Sequence, residues 1–174
     1  MYPQLCSITT NAPLYLDFHS QLLSIESTDS VYLNRSIVRG SILCASLNAT
    51  LSKLENVNSS GKVNLVCCVV ETLTASNNVE ANTCSFASLI VQGSITLRNC
   101  SILGNLTLNV ASNVTPTIHL ENCTIEGNII IRGSALRPLR FTLIDAHYTS
   151  LKFEGIKRQT CERETPRYID LEIP

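Results

Sequence analysis

The chain repeats itself every sixteen residues, and a period that short leaves room for little except a solenoid. Val31, Leu47, Val63, Val79 and Ile95 stand in register at steps of sixteen. Ile118 and Phe141 follow at steps of twenty-three, which is sixteen plus a seven-residue insertion. The clearest pair of copies is Ile-Thr-Leu-Arg-Asn-Cys-Ser-Ile-Leu-Gly-Asn-Leu-Thr-Leu (95–108) against Ile-His-Leu-Glu-Asn-Cys-Thr-Ile-Glu-Gly-Asn-Ile-Ile-Ile (118–131). Units of this length bury an apolar face only by stacking on their neighbours.

Three columns of the repeat are apolar. Position 1 holds the residues just named, with Tyr15 as a degenerate earlier copy; position 3 runs from Leu33 to Leu143; position 8 runs from Leu22 to Tyr148. Position 6 is always small: Ser36, Ser52, Cys68, Cys84, Cys100, Cys123 and Ala146, after Ser20. Polar residues stand between, and such alternation marks short strands with one buried face. Position 10 (Gly40, Asn56, Thr72, Ser88, Gly104, Gly127, Ser150) reads as a corner that needs a small or positive-φ residue. The spacing therefore predicts an all-β, single-domain, narrow parallel β-helix of right-handed type. It has about eight coils over residues 15–155, each of three short strands and three corners, in a rod about 38 Å long. Residues 1–14 read as a lead-in or cap. Residues 156–174 read as a charged tail ending in a candidate strand that caps the helix or pairs with another molecule.

The same columns account for the cysteines. Four of the eight fall at position 6, where Cys replaces Ser as a small buried residue. Their side chains point the same way on successive coils, which suits packing rather than a disulfide. Cys44 shares an interior column with Leu108 and Ile131, and Cys67 should face outward. Reduced thiols place the protein in the cytoplasm. No secretion signal or membrane span is visible in the sequence. Six Asn-x-Ser/Thr sequons (Asn34, Asn48, Asn58, Asn105, Asn113, Asn122) are ascribed to a composition rich in Asn, Ser and Thr.

Little in the chain carries chemistry. Net charge is −1, so no broad basic field invites nucleic acid. His19, His119 and His147 occupy different positions of the repeat and do not converge on a metal or a triad. No metal, cofactor or nucleotide is expected. Glu121, Glu126 and Asp145 are the acids nearest the insertions, but they lie in three different columns, so a carbohydrate-active enzyme is the least favoured reading. The insertions, 111–117 and 134–140, leave after equivalent positions and should stack. With Arg132, Arg137 and Arg140 beside them, they could present a partner surface on a monomeric binding module.

Ile102-Leu-Gly-Asn-Leu and Ile125-Glu-Gly-Asn-Ile resemble the hydrophobic-x-Gly-Asp/Asn-Ile corners of bactofilins, with Val38-Arg-Gly-Ser-Ile as a looser copy. Leu151-Lys-Phe-Glu-Gly resembles the end of the last coil of a bactofilin core. The resemblance covers residues 31–155. It implies a bacterial cytoskeletal β-helix that polymerises end to end without nucleotide. By that reading the chain is a non-catalytic, self-associating scaffold. Apolar residues at its two ends (Tyr15, Leu22 and Ile25 below; Phe141, Tyr148 and Phe153 above) would drive association, each contributing roughly 1.5–3 kcal/mol on burial.

Overall fold

Positions 1 and 3 of each repeat are apolar and positions 2 and 4 mostly polar, so each coil begins with a short strand that buries alternate residues. The computed structural model describes residues 6–17, 19–111, 116–133, 139–155 and 168–173. In it the strands stack into a parallel β-helix of two sheets. The short-strand sheet contains β2 (Leu14–Leu16), β4 (Ser30–Asn34), β6 (Ser46–Thr50), β8 (Val63–Val66), β10 (Val79–Asn82), β12 (Ile95–Arg98), β15 (Thr117–Glu121), β17 (Leu139–Ile144) and β19 (Tyr168–Ile173). The long-strand sheet contains β1 (Cys6–Thr10), β3 (Gln21–Ser27), β5 (Ile37–Cys44), β7 (Lys53–Ser59), β9 (Val69–Ala75), β11 (Ser85–Val91), β13 (Ser101–Ile102), β14 (Leu106–Val110), β16 (Thr124–Gly133) and β18 (His147–Glu154). Every pairing is parallel except the last, in which β19 runs antiparallel to β17. The sixteen-residue register is present in the sheet: Val63 pairs with Val79 and Val79 with Ile95, and the twenty-three-residue steps pair Ile95 with Ile118 and Ile118 with Phe141. From Val31 to Phe141 the whole position-1 column is 0% exposed, so this file forms one wall of a continuous dry core.

One left-handed residue turns the chain from the first sheet to the second. Arg35, Leu51, Cys67, Thr83, Asn99, Asn122 and Asp145, all at position 5, have φ between 47° and 56°. The positive φ thus falls at position 5 and not at position 10, where the sequence reading expects a small or positive-φ residue. A left-handed conformation costs a non-glycine residue roughly 1–2 kcal/mol, and stacking offsets it. Corner amides donate to the coil above, as Leu51 does to the Val66 carbonyl at 2.9 Å and Asn122 to the Ile144 carbonyl at 2.8 Å. The position-6 side chain then reaches back across the corner. Ser36 donates to the Asn34 carbonyl at 3.0 Å, Ser52 to Thr50 at 2.8 Å, and the Cys84 and Cys100 thiols to Asn82 and Arg98 at 3.3 and 3.1 Å. From Ser36 to Cys123, position 6 is therefore small and also a donor, which is why Ser and Cys both serve there.

The third corner is a bend inside the long strands. Buried Leu54 and Val57 are separated by two consecutive residues that do not enter the core, as are Val70 and Leu73, and Phe86 and Leu89. Three coils fit an extra residue at this bend, and the register slips by one, as between Val38 and Ser41 and between Ile125 and Asn128. In each of them a glycine stands at the bend: Gly40, Gly104 and Gly127. A Cβ on these would lie 2.4, 2.6 and 2.4 Å from a carbonyl oxygen of the coil below. Close approach between coils, not positive φ, selects glycine here.

The first coil corrects the sequence reading. Leu14 and Leu16, not Tyr15 and Asp17, pair with Val31 and Leu33 and pack on the core. Tyr15 faces outward, 70% exposed, and stacks on Tyr32 with ring centroids 4.5 Å apart. The segment 1–14 is likewise more than a lead-in: β1 forms a further rung, with Cys6 under Leu22 and Ile8 under Ile25. The Gly104→Ala variant is expected to cost roughly 1–3 kcal/mol through forced overpacking, whereas Ser88→Ala at the bend of a coil without the extra residue should stay within about 0.5 kcal/mol. Urea denaturation midpoints measure both.

Candidate functional surfaces

The interior ladder is present as read and is structural. Ser36, Ser52, Cys68, Cys84, Cys100 and Cys123 are buried in one file, with Ala146 partly buried above them. The four cysteines of the file are free thiols, as is buried Cys44. Within the file each thiol donates to the carbonyl two residues back, and the Cys68 amide donates to the Cys84 sulfur at 3.4 Å. The neighbouring sulfurs, Cys84 for Cys68 and Cys123 for Cys100, push the pKa of these two thiols up and burial adds to it, while the adjacent Cys100 draws Cys84 and Cys123 down. Burial raises the Cys44 thiol to about 11, against a smaller opposing effect of its hydrogen bond with Ser59. Sulfurs closed inside an apolar file, their protons held by backbone carbonyls, are packing groups and are closed to external reagents. Cys67 is exposed, as the outward position requires.

The residues assigned to end-to-end association fall into two groups. Leu22 and Ile25 are 7% and 1% exposed because β1 lies beneath them, and Phe141 is 0% exposed, so none of the three is available at an end. Tyr148 and Phe153, on β18, pack only partly against the core, with Leu151 between them. Phe153 meets Phe141 edge-to-face at 6.3 Å. At the lower end the partly buried apolar residues are Ile8, Leu14 and Leu16. Sequence reasoning passed over Leu14 and Leu16 because it placed the first coil one residue out, and Ile8 because it read residues 1–14 as a lead-in.

The basic spot is also changed. The Arg132 guanidinium bonds the Glu154 carboxylate at 2.6 Å across neighbouring rungs. Arg140 belongs to β17 and is exposed there, not on a loop. Arg137 and most of both insertions (112–115 and 134–138) lie outside the described residues. Their flanks do stack, with Val110 paired to Gly133 and Thr117 to Arg140.

The three acids lie on different parts of the surface. Glu126 is on the outer face of the long-strand sheet, Asp145 on a left-handed corner, and Glu121 on the outer face of the short-strand sheet. Glu121 sits in a cluster that the sequence reading missed. Arg98 Nε is 3.0 Å and His119 Nε2 3.5 Å from its Oε2. The second contact is too long to count as a hydrogen bond, and His119 Nε2 is buried with no hydrogen-bond partner. The signal was in the aligned pair 95–108 and 118–131, which puts Arg98 and Glu121 in one column. These groups knit two coils together on a flat face. A shallow groove of about 280 Å³ opens at the turn after β3 and β5, lined by Glu26, Thr28, Leu43, Cys44, Asn58 and Ser60. Glu26 is the one carboxylate in its lining, with no second acid or base beside it. Among the described residues no group of three or more His, Cys, Asp or Glu is arranged to hold a metal, and no helix is long and apolar enough to cross a membrane.

The outer faces carry ladders of neutral polar groups. Asn64 donates to Asn48 at 2.8 Å, Asn122 to Asn99 at 2.7 Å, and Thr72 to Asn56 at 2.7 Å. Asn48, Asn105 and Asn122 of the sequons take part in such ladders. No family model, no curated protein and no solved structure matches the chain.

Two outcomes test this reading. Cys100→Leu should overfill the small file and cost roughly 1–3 kcal/mol, while Cys100→Ser, which keeps the size and the donor, should cost distinctly less; denaturant titration ranks them. Arg98 first and His119 second hold the Glu121 pKa below its ordinary 4.5. A folded-state pKa that is lowered stabilises above the unfolded value, and that stability is lost as pH falls through the folded one. Arg98→Met should therefore flatten the loss of thermal stability on acidification below about pH 4.5, relative to the parent.

Proposed function

We propose that the protein is a non-catalytic structural rod that self-associates through the ends of its β-helix, a scaffold role of the kind implied by its resemblance to bactofilins. One observation carries the reading. At the lower end, among the described residues, β1 and β2 are the terminal strands of the two sheets, β1 pairing with β3 and β2 with β4. Such an edge is a template for another strand. The partly buried Ile8, Leu14 and Leu16 line it, so a docking end would bury apolar surface as well as backbone.

Other features support the same role. The outer faces are flat, and many of their side chains are occupied with one another in ladders and ion pairs. The acids nearest the insertions do not share a groove. The free, buried thiols suit a reducing cytoplasm. Sedimentation velocity across a wide concentration range, with negative-stain microscopy, is expected to show dimers or longer linear assemblies at high concentration. A strictly monomeric particle at the highest concentration reached would refute the proposal.

A further inference from the structure

The tail strand β19 occupies the one place that decides how two such rods can meet. Each turn of the chain contributes a short strand and then a long strand. The long-strand sheet has nine rungs: β1, β3, β5, β7, β9, β11, the β13–β14 pair, β16 and β18. The short-strand sheet has nine strands, and the ninth is β19. Without the tail it would have eight. The lower end finishes with β1, which belongs to the half-turn below β2. The upper end finishes with β19, which stands a half-turn above β18. The two ends are thus matching steps.

We infer that β19 is a structural rung that readies the upper end to receive the lower end of a second copy, head to tail. This rests on the proposed self-association and deepens it by naming the partner surface and the polarity. In the junction β18 meets β1 of the second copy in parallel, as every other pair of rungs in that sheet does. β19 meets its β2 antiparallel, because β19 itself runs antiparallel to β17. The interior columns carry across the junction: Ile8 of the second copy stands over Leu151 and its Cys6 over Tyr148, by the register of β1 on β3 and of β18 on β16. The outer hydroxyl ladder carries across too. Ser24 already donates to Ser7 at 2.8 Å at the lower end, and Ser150 bonds Asn128 at the upper end. Stacking therefore sets Ser7 of the second copy directly over Ser150. A tail acting only as a stopper would leave the lower end to pair with another lower end, a junction between two Ser7-bearing strands that Ser150 does not enter.

Cysteine placement separates these arrangements in the full chain. In a background with Cys6, Cys67 and Cys161 replaced by Ser, Ser7→Cys and Ser150→Cys proteins are treated with a short bis-maleimide, separately and mixed. The expected result is a covalent dimer from the mixture and none from either protein alone. Dimers from Ser7→Cys alone would overturn the head-to-tail inference while leaving end association in place. Absence of any dimer, with a monomer in sedimentation, would overturn the association itself. A second full-length variant tests the rung. Leu171→Pro removes a backbone donor from β19, and should shift the onset of assembly to higher concentration while the circular dichroism of the β-helix is retained. Assembly at the same or lower concentration than the parent would show that the strand is no part of the junction or a stopper, and would overturn the inference.

Discussion

Each coil of this protein leaves its backbone amides and carbonyls half satisfied until another coil lies on it. That vertical pairing is the constraint from which the rest follows. Corner amides illustrate it most clearly: Arg35, Leu51, Cys67, Thr83, Asn99 and Asn122 each donate to the carbonyl of a residue one coil up. A corner built on a left-handed residue is unfavourable alone and sound in a stack. Cooperativity then runs along the axis, since a coil removed from the middle exposes two faces and not one. The same logic leaves an end coil with less support than a coil inside the stack.

The small ladder at position 6 shows one residue meeting several demands at once. The side chain must be small, because it fills the acute angle behind a left-handed corner. It must also donate to the carbonyl two residues back, as Ser52 does to Thr50 and Cys123 to Glu121. Ser and Cys satisfy both. Cys adds apolar contact in the upper coils, where bulky neighbours such as Phe86 and Phe141 line the core. The change from Ser below to Cys above therefore tracks the character of the interior, with no redox chemistry required.

Much of this was legible in the letters, because a parallel β-helix writes its vertical neighbours at a fixed spacing. The position-1 file, the buried Cys file, outward Cys67 and the interior place of Cys44 all follow from counting. The failures have a common cause: counting assumes equal coils. An extra residue between Leu16 and His19 moved Tyr15 outward and brought Leu14 and Leu16 inward. Rung β1 escaped notice because Cys6-Ser-Ile-Thr-Thr carries one strongly apolar inward residue, too few for a periodic signal. The corner conformation was misplaced for another reason. Position 5 is filled by His, Arg, Leu, Cys, Thr, Asn and Asp, a mixture with no glycine to mark the left-handed turn, whereas the glycines mark bends where neighbouring backbone comes within contact. The Arg98–Glu121–His119 cluster was recoverable from the aligned copies, because unlike charges stacked in one column of a solenoid are neighbours in space.

What a solenoid does with its ends depends on whether the two sheets finish level with each other. A chain that enters on a long strand and leaves on a long strand has one sheet a rung taller than the other, and copies stacked on it would leave a gap in the shorter sheet. Here the final strand returns antiparallel over Leu139–Ile144 and fills that place. An antiparallel strand breaks the parallel pattern of the stack, and a strand that breaks the pattern is easily taken for a cap. Yet its far edge offers the same row of amides and carbonyls as any other strand. Whether an edge stops growth or continues it is decided by its height relative to the neighbouring sheet and by the side chains that line it, not by its direction. On that criterion, and under the proposed head-to-tail reading, the upper end, with Tyr148, Leu151 and Phe153 only partly covered beside a completed short-strand sheet, is the surface that a second copy would meet.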